Sequence, residues 1–374
     1  MSILKNRLET VFEFALIVYR FGGFEGSIIM DLISISKYRP QIMGIATIFI
    51  TLCHTTFSIS GMGKELYSIF ISRFMQCGVD IFLLVSGLGC FYSFANNPSF
   101  GDFYKKRIIR LFIPFTVYVL FHSLILLLLK NGSVADFLYN FSIVPFFISG
   151  NLSCWFIGAI IVLYAMFPLL YKLVTHSHYL TLFISGCILI IVLIPFWRLL
   201  PDNIQIIREI FLVRIPVFMV GIVIGDCLYN HKIRIVNHRI IIFTFIISFV
   251  LFILNVVYNK QDTWVYSRAL FLPISISFIV LISNLFDKIE LKNRKYNSFF
   301  VFWGNISLEM YLIFERVLSL TIDYLPRPQA IFSFLSNQTV SFIVNVLAII
   351  VAVFVSVILS KISRLIIKRV SKFI

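Results

Sequence analysis

The chain has 374 residues, of which 60% are hydrophobic and only 13% are charged. Soluble domains carry charge on about a quarter of their residues, so a soluble globular enzyme is excluded and a polytopic membrane protein is expected. The formal net charge of +15 then raises the question of which membrane side holds the basic residues, and is no pointer to nucleic acid.

Residues 1–36 interleave Lys5, Arg7, Glu9, Glu13 and Arg20 with apolar positions at helical spacing. No clean apolar stretch precedes a small-residue site, so no cleavable leader is expected. This segment reads as an N-terminal extension, either an amphipathic helix lying on the inner leaflet or a variable stretch ahead of a start at Met30. Ten spans of about 20 residues follow, near 41–60, 74–94, 108–129, 152–171, 179–198, 210–228, 240–258, 265–286, 299–321 and 336–360. The apolar stretch 133–150 is short and interrupted by Pro145 and Gly150, so it is expected to be re-entrant or interfacial. Residues 361–374 form a short basic tail.

With the N-terminus cytoplasmic, the inner segments hold roughly two-thirds of the 32 Lys and Arg residues. The bias recurs loop by loop. The expected fold is therefore an all-α bundle of about ten transmembrane helices with both termini cytoplasmic, most simply in a bacterial cytoplasmic membrane. The six cysteines (Cys53, Cys77, Cys90, Cys154, Cys187 and Cys227) show no CxxC or Cys/His metal spacing. They read as small apolar packing residues, and no metal site is expected.

Ionisable residues inside spans are costly and usually have a function. His54 lies about 20 Å along the first span at 1.5 Å per residue. Asp80, His122 and Glu315, on the second, third and ninth spans, fall in the same outer layer. These residues either pair to hold the bundle together, or Asp80 or Glu315 orients His54 as general base on a hydroxyl. His122, flanked by Leu and Phe, reads as a packing residue. On the cytoplasmic side FYKKRIIRLFIPF (103–115) gathers Lys105, Lys106, Arg107 and Arg110. Arg107 and Arg110 share a helix face. They serve either as a positive-inside anchor or as an anion site for a phosphorylated donor.

Six segments in order give the chain a resemblance to the membrane-bound acyltransferase 3 family, which O-acylates carbohydrates. They are IMGIATIFITLCH (42–54), CGVDIFLLVSGLGCFYSF (77–94), FYKKRIIRLFIPF (103–115), CWFIGAIIVLYAMFPLLY (154–171), RIPVFMVGIVIGD (214–226) and NISLEMYLIFE (305–315). The resemblance implies a ten-span acyltransferase domain over 37–360, using acetyl-CoA or another short acyl-CoA as donor substrate and no permanently bound cofactor. It implies a catalytic His54 with Asp80 and Glu315, and donor contacts from Arg107 and Arg110. Trp155 and Arg214 fall on family positions read as substrate-binding.

Two departures stand out. Met43 occupies the usual basic position before GIA, so Arg39, one turn earlier, is expected to serve with the arginine pair. Phe314 replaces a second histidine. The expected acceptor is a surface glycan or a lipid-linked sugar, with polysaccharide-biosynthesis proteins as possible partners. Trp197, Trp264, Tyr266 and Tyr324 read as an interfacial aromatic belt, or as stacking surfaces for sugar rings. The competing class is a multi-span transporter or flippase of a glycan or lipid intermediate; a third is an inactive membrane scaffold.

Overall fold

The computed structural model describes residues 29–55, 63–64, 67–128, 139, 144–152, 154–232, 235–258, 264–290, 294–324 and 337–373. The main elements are β1 (Ile29–Asp31), α1 (Arg39–Cys53), α2 (Cys77–Asn96), α3 (Phe100–Leu128), α4 (Trp155–His176), α5 (His178–Leu193), α6 (Ile215–Tyr229), β2 (Ile235–Asn237), α7 (His238–Tyr258), α8 (Phe271–Glu290), α9 (Arg294–Asn305), α10 (Ser307–Tyr324) and α11 (Asn337–Phe373). Apart from the short antiparallel β1–β2 ribbon, the described body is helical. Among the described residues seven helical stretches are long and apolar enough to cross a membrane, while α1 and α5 are apolar but shorter. A multi-pass membrane protein follows from this pattern, since in hydrocarbon each backbone polar group must be bonded within its own helix.

Several expected elements differ from the structure, among them the fifth (179–198), which leaves α-helix at Leu193, and the eighth (265–286), which is divided at Leu270. The first span was expected over 41–60, but α1 ends at Cys53. The backbone N–H of Thr55 and its hydroxyl both donate to the Leu52 carbonyl, at 3.1 and 2.6 Å. This local bonding competes with helical continuation, and His54 becomes the residue that caps the helix. The Thr55 hydroxyl also bonds Tyr67 at 3.0 Å, clasping the segment after His54 to the π-helical turn that leads into α2. The sixth expected span, 210–228, is a helical stretch from Asp202 interrupted by a 3₁₀ turn at Leu212–Arg214 before α6. The ninth, 299–321, is divided into α9 and α10 at Ile306.

The ends of the body also carry structure. Within the expected extension 1–36, residues from Ile29 are described. β1 pairs with β2, the Asp31 N–H donates to Asn284 on α8, and the Ser34 hydroxyl donates to Ser283. Residues 1–28 lie outside the described residues. The basic residues of the expected tail 361–374 continue α11 as helix to Phe373. Of the stretch 133–150, the short helix Val144–Ser149 is described in full, and Asn203 ties it to the Asp202–Ile210 helix.

Small residues set the close contacts that position the site. Gly44 on α1 and Gly304 on α9 face one another, and a Cβ on either would overlap a backbone carbonyl of the partner helix, Phe300 or Pro40. Gly87 and Gly221 bring α2 and α6 together in the same way. Lipid tails are as apolar as Leu, so such backbone approach replaces hydrophobic exclusion as the source of helix–helix affinity.

Candidate active site

α1 and α10 pack against each other at the site. Thr47, Thr51 and His54 of α1 and its cap line one cavity together with Ser307, Tyr311 and Glu315 of α10. The residues on each helix are spaced three or four apart, which puts them on one face. This chamber holds about 20 Å³, and Trp155 and Phe314 also line it. So small a volume takes one or two water-sized groups. His54 and Glu315 both keep accessible surface.

A second cavity of about 180 Å³ is lined by Arg39, Arg107 and Arg110. Arg107 is 7% exposed. Its Nη2 donates to the Gly89 carbonyl at 2.8 Å, and its guanidinium lies 5.4 and 5.5 Å from the ring centres of Phe103 and Tyr164. Its Nε has no hydrogen-bond partner. Gly89 also makes room for Arg39, because a Cβ there would overlap the Arg39 guanidinium. Three guanidinium groups converging on one cavity form an acceptor for an anion, since their planar forks match phosphate oxygens. Arg39 thus lines the same cavity as Arg107 and Arg110. Ile50, Phe82, Ser307 and Tyr311 line both cavities, so the arginine cavity and the His54 chamber adjoin.

Asp80 sits elsewhere. Its Oδ2 accepts from Arg214 Nε at 3.1 Å, and both residues are fully buried. Arg214 also donates from Nη1 to the Ile210 carbonyl at 2.6 Å, and its guanidinium lies 5.3 Å from the Trp155 ring centre. Asp80 is not among the residues lining the His54 chamber, whereas Glu315 is. Asp80 and Arg214 therefore meet the chamber through Trp155. That tryptophan is aimed by Cys154, which precedes α4 with φ 56°, a left-handed backbone that costs an L-residue about 1 kcal/mol.

His122 stacks on Tyr118, with ring centres 5.8 Å apart, and lines neither cavity. Tyr311, Ser307 and Gly89 were not singled out in the sequence. The 307/311/315 spacing on an otherwise apolar helix is the signal that points to the first two. Among the described residues no group of three or more His, Cys, Asp or Glu is placed to hold a metal ion.

An apolar helical body that encloses a polar chamber beside a basic cavity is the architecture of an integral membrane protein working inside the bilayer. A family model described as an acyltransferase domain matches residues 42–361. The chain belongs to this acyltransferase 3 family and is a membrane acyltransferase. No curated protein and no solved structure matches it.

Proposed function

We propose that the protein moves an acetyl or other short acyl group from a cytosolic acyl-CoA to a hydroxyl of a cell-surface or lipid-linked carbohydrate. The phosphates of the donor bind Arg39, Arg107 and Arg110, and the thioester reaches into the His54 chamber. His54 takes the proton of the attacking sugar hydroxyl, a role in which a positioned imidazole contributes about 100- to 10,000-fold. Glu315 orients the imidazole and balances its charge. Ten crossings with both termini in the cytoplasm, in a bacterial cytoplasmic membrane, fit the distribution of Lys and Arg. The arginines then face the acyl-CoA pool and His54 faces the acceptor.

The observation that carries this reading is the shared wall of the two cavities, which links the guanidinium cluster to His54. The small chamber supports a short acyl group, and a donor filling it would displace water, whose attack on the donor is the competing reaction. The test compares strains carrying wild type, His54→Ala and a deletion, with base-labile esters on extracted surface glycans scored by mass spectrometry. Loss of one ester in both mutants, with the His54→Ala protein still in the membrane, is the expected result. Unchanged esters in the deletion strain would remove glycan acylation. Movement of a glycan or lipid intermediate without consumption of acyl-CoA would then favour transport.

A further inference from the structure

We propose that the Tyr311 hydroxyl and the amino end of α10 form the oxyanion site for the thioester carbonyl of the donor. This assignment rests on the acyl-transfer reading above and adds to it the groups that bear the charge developing on oxygen. Four residues line both cavities, Ile50, Phe82, Ser307 and Tyr311. Two of them are apolar, so the polar groups at the junction come from α10. The junction is where a donor anchored by its phosphates on the arginines presents its carbonyl to His54.

Tyr311 has an unspent donor there. Its oxygen accepts the Phe156 N–H at 3.2 Å, and among the described residues nothing takes its proton. A phenolic hydroxyl both donates and accepts. With the oxygen fixed by Phe156, the proton is left to point into the cavity. The break at Ile306 supplies the second donor. α10 starts afresh at Ser307, and the first N–H groups of a helix lack intrahelical acceptors and carry the positive end of its dipole. The break has its own support, since Arg364 Nη2 donates to the Asn305 carbonyl at 2.8 Å where α9 ends. Arg107, almost fully buried with an unpartnered Nε, lines the same cavity as Ser307 and independently marks it as a place for an anionic ligand.

The step balances as follows. The acceptor oxygen attacks the thioester carbon and a C–O bond forms. The carbonyl electron pair moves to oxygen, where the Tyr311 O–H and the Ser307 N–H hold it, and the hydroxyl proton passes to His54. The pair then returns, the C–S bond breaks, and the departing CoA sulfur takes the proton from His54. Donors placed for the charged oxygen act on turnover more than on binding.

The experiment uses membrane vesicles containing the full-length protein and its native acceptor, with radiolabelled acetyl-CoA varied in concentration. Tyr311→Phe is expected to lower kcat by about 100-fold with the KM for acetyl-CoA within about threefold of wild type. Ser307→Pro deletes the N–H at the first helical position, where proline is accommodated. Its kcat is expected to fall at least about tenfold below that of Ser307→Ala. Tyr311→Phe turnover within about twofold of wild type, or a loss confined to KM, would overturn the assignment. If Ser307→Pro does not accumulate in the membrane, Tyr311→Phe decides alone. Wild-type vesicles that transfer no acetyl group overturn the acyl-transfer reading and this assignment with it; wild type that transfers while Tyr311→Phe keeps pace overturns the assignment only.

Discussion

Asp80 and His54 look alike in the sequence, each a lone ionisable residue in an apolar stretch, at similar depth on consecutive helices. In the structure they part company. Asp80 is enclosed, 0% exposed, with its charge met by Arg214 at 3.1 Å. His54 caps a helix end, keeps accessible surface and shares a chamber with Glu315. Asp80 meets Arg214 through Oδ2 alone, its Oδ1 having no hydrogen-bond partner among the described residues, and removing one member of such a pair leaves the other charge buried and uncompensated. An open pair facing a cavity retains capacity for a ligand. Intramembrane charge alone did not distinguish the two settings; Asp80 faces Arg214, and His54 faces a cavity.

The contrast can be attacked directly. The largest effect is expected for His54→Ala, with acyl transfer falling by about 1,000-fold or more at wild-type abundance in the membrane; quantitative immunoblotting alongside the transfer assay checks both. Glu315→Gln is expected to lower kcat by about 100-fold, again without loss of protein. Asp80→Asn should behave in the opposite sense. It destabilises by about 3–5 kcal/mol by stranding Arg214, seen as a lower midpoint of thermal unfolding in detergent and less protein in the membrane.

Smaller effects fall on the basic cavity. Arg107→Gln should raise the KM for acyl-CoA by about tenfold, the loss of one charge-assisted bond, with kcat nearly kept. Gly89→Ala forces the Arg39 guanidinium aside, so the KM should rise by a few-fold, roughly 1 kcal/mol. The smallest effect belongs to His122→Phe, expected within about twofold of wild type because the residue stacks on Tyr118 and lines neither cavity. A large loss there would mean that the outer layer acts as one network rather than two pairings.

Much of the site was legible beforehand. Composition gave the membrane class. The KKRIIR run was read as either a positive-inside anchor or an anion site; its two arginines and Arg39 line one cavity, and Lys105 and Lys106 do not. Two features were hidden for physical reasons. The end of α1 at Cys53 depends on Thr55 bonding back to Leu52 and reaching Tyr67, and hydropathy does not register a threonine that ends a helix from an apolar run. The partner of Asp80 is 134 positions away, and depth arguments could only say that Asp80, His122 and Glu315 lay in the layer of His54. The part that could have been read and was not is the matched polar spacing of 47/51/54 and 307/311/315. Those two stripes alone predict that α1 and α10 face each other across a polar cavity.

The most direct test sets the two pairings against each other in one assay. Asp80→Leu with Arg214→Met replaces the closed pair by apolar groups, which in buried sites is often neutral or stabilising. Glu315→Gln disables the open one. Acyl transfer per mole of membrane-inserted protein is then compared for both. The expected result is a double variant within about tenfold of wild type and a Glu315→Gln protein at about 1% of it. A double variant that is fully inserted but inactive, beside an active Glu315→Gln protein, would contradict the division and return Asp80 to the chemistry.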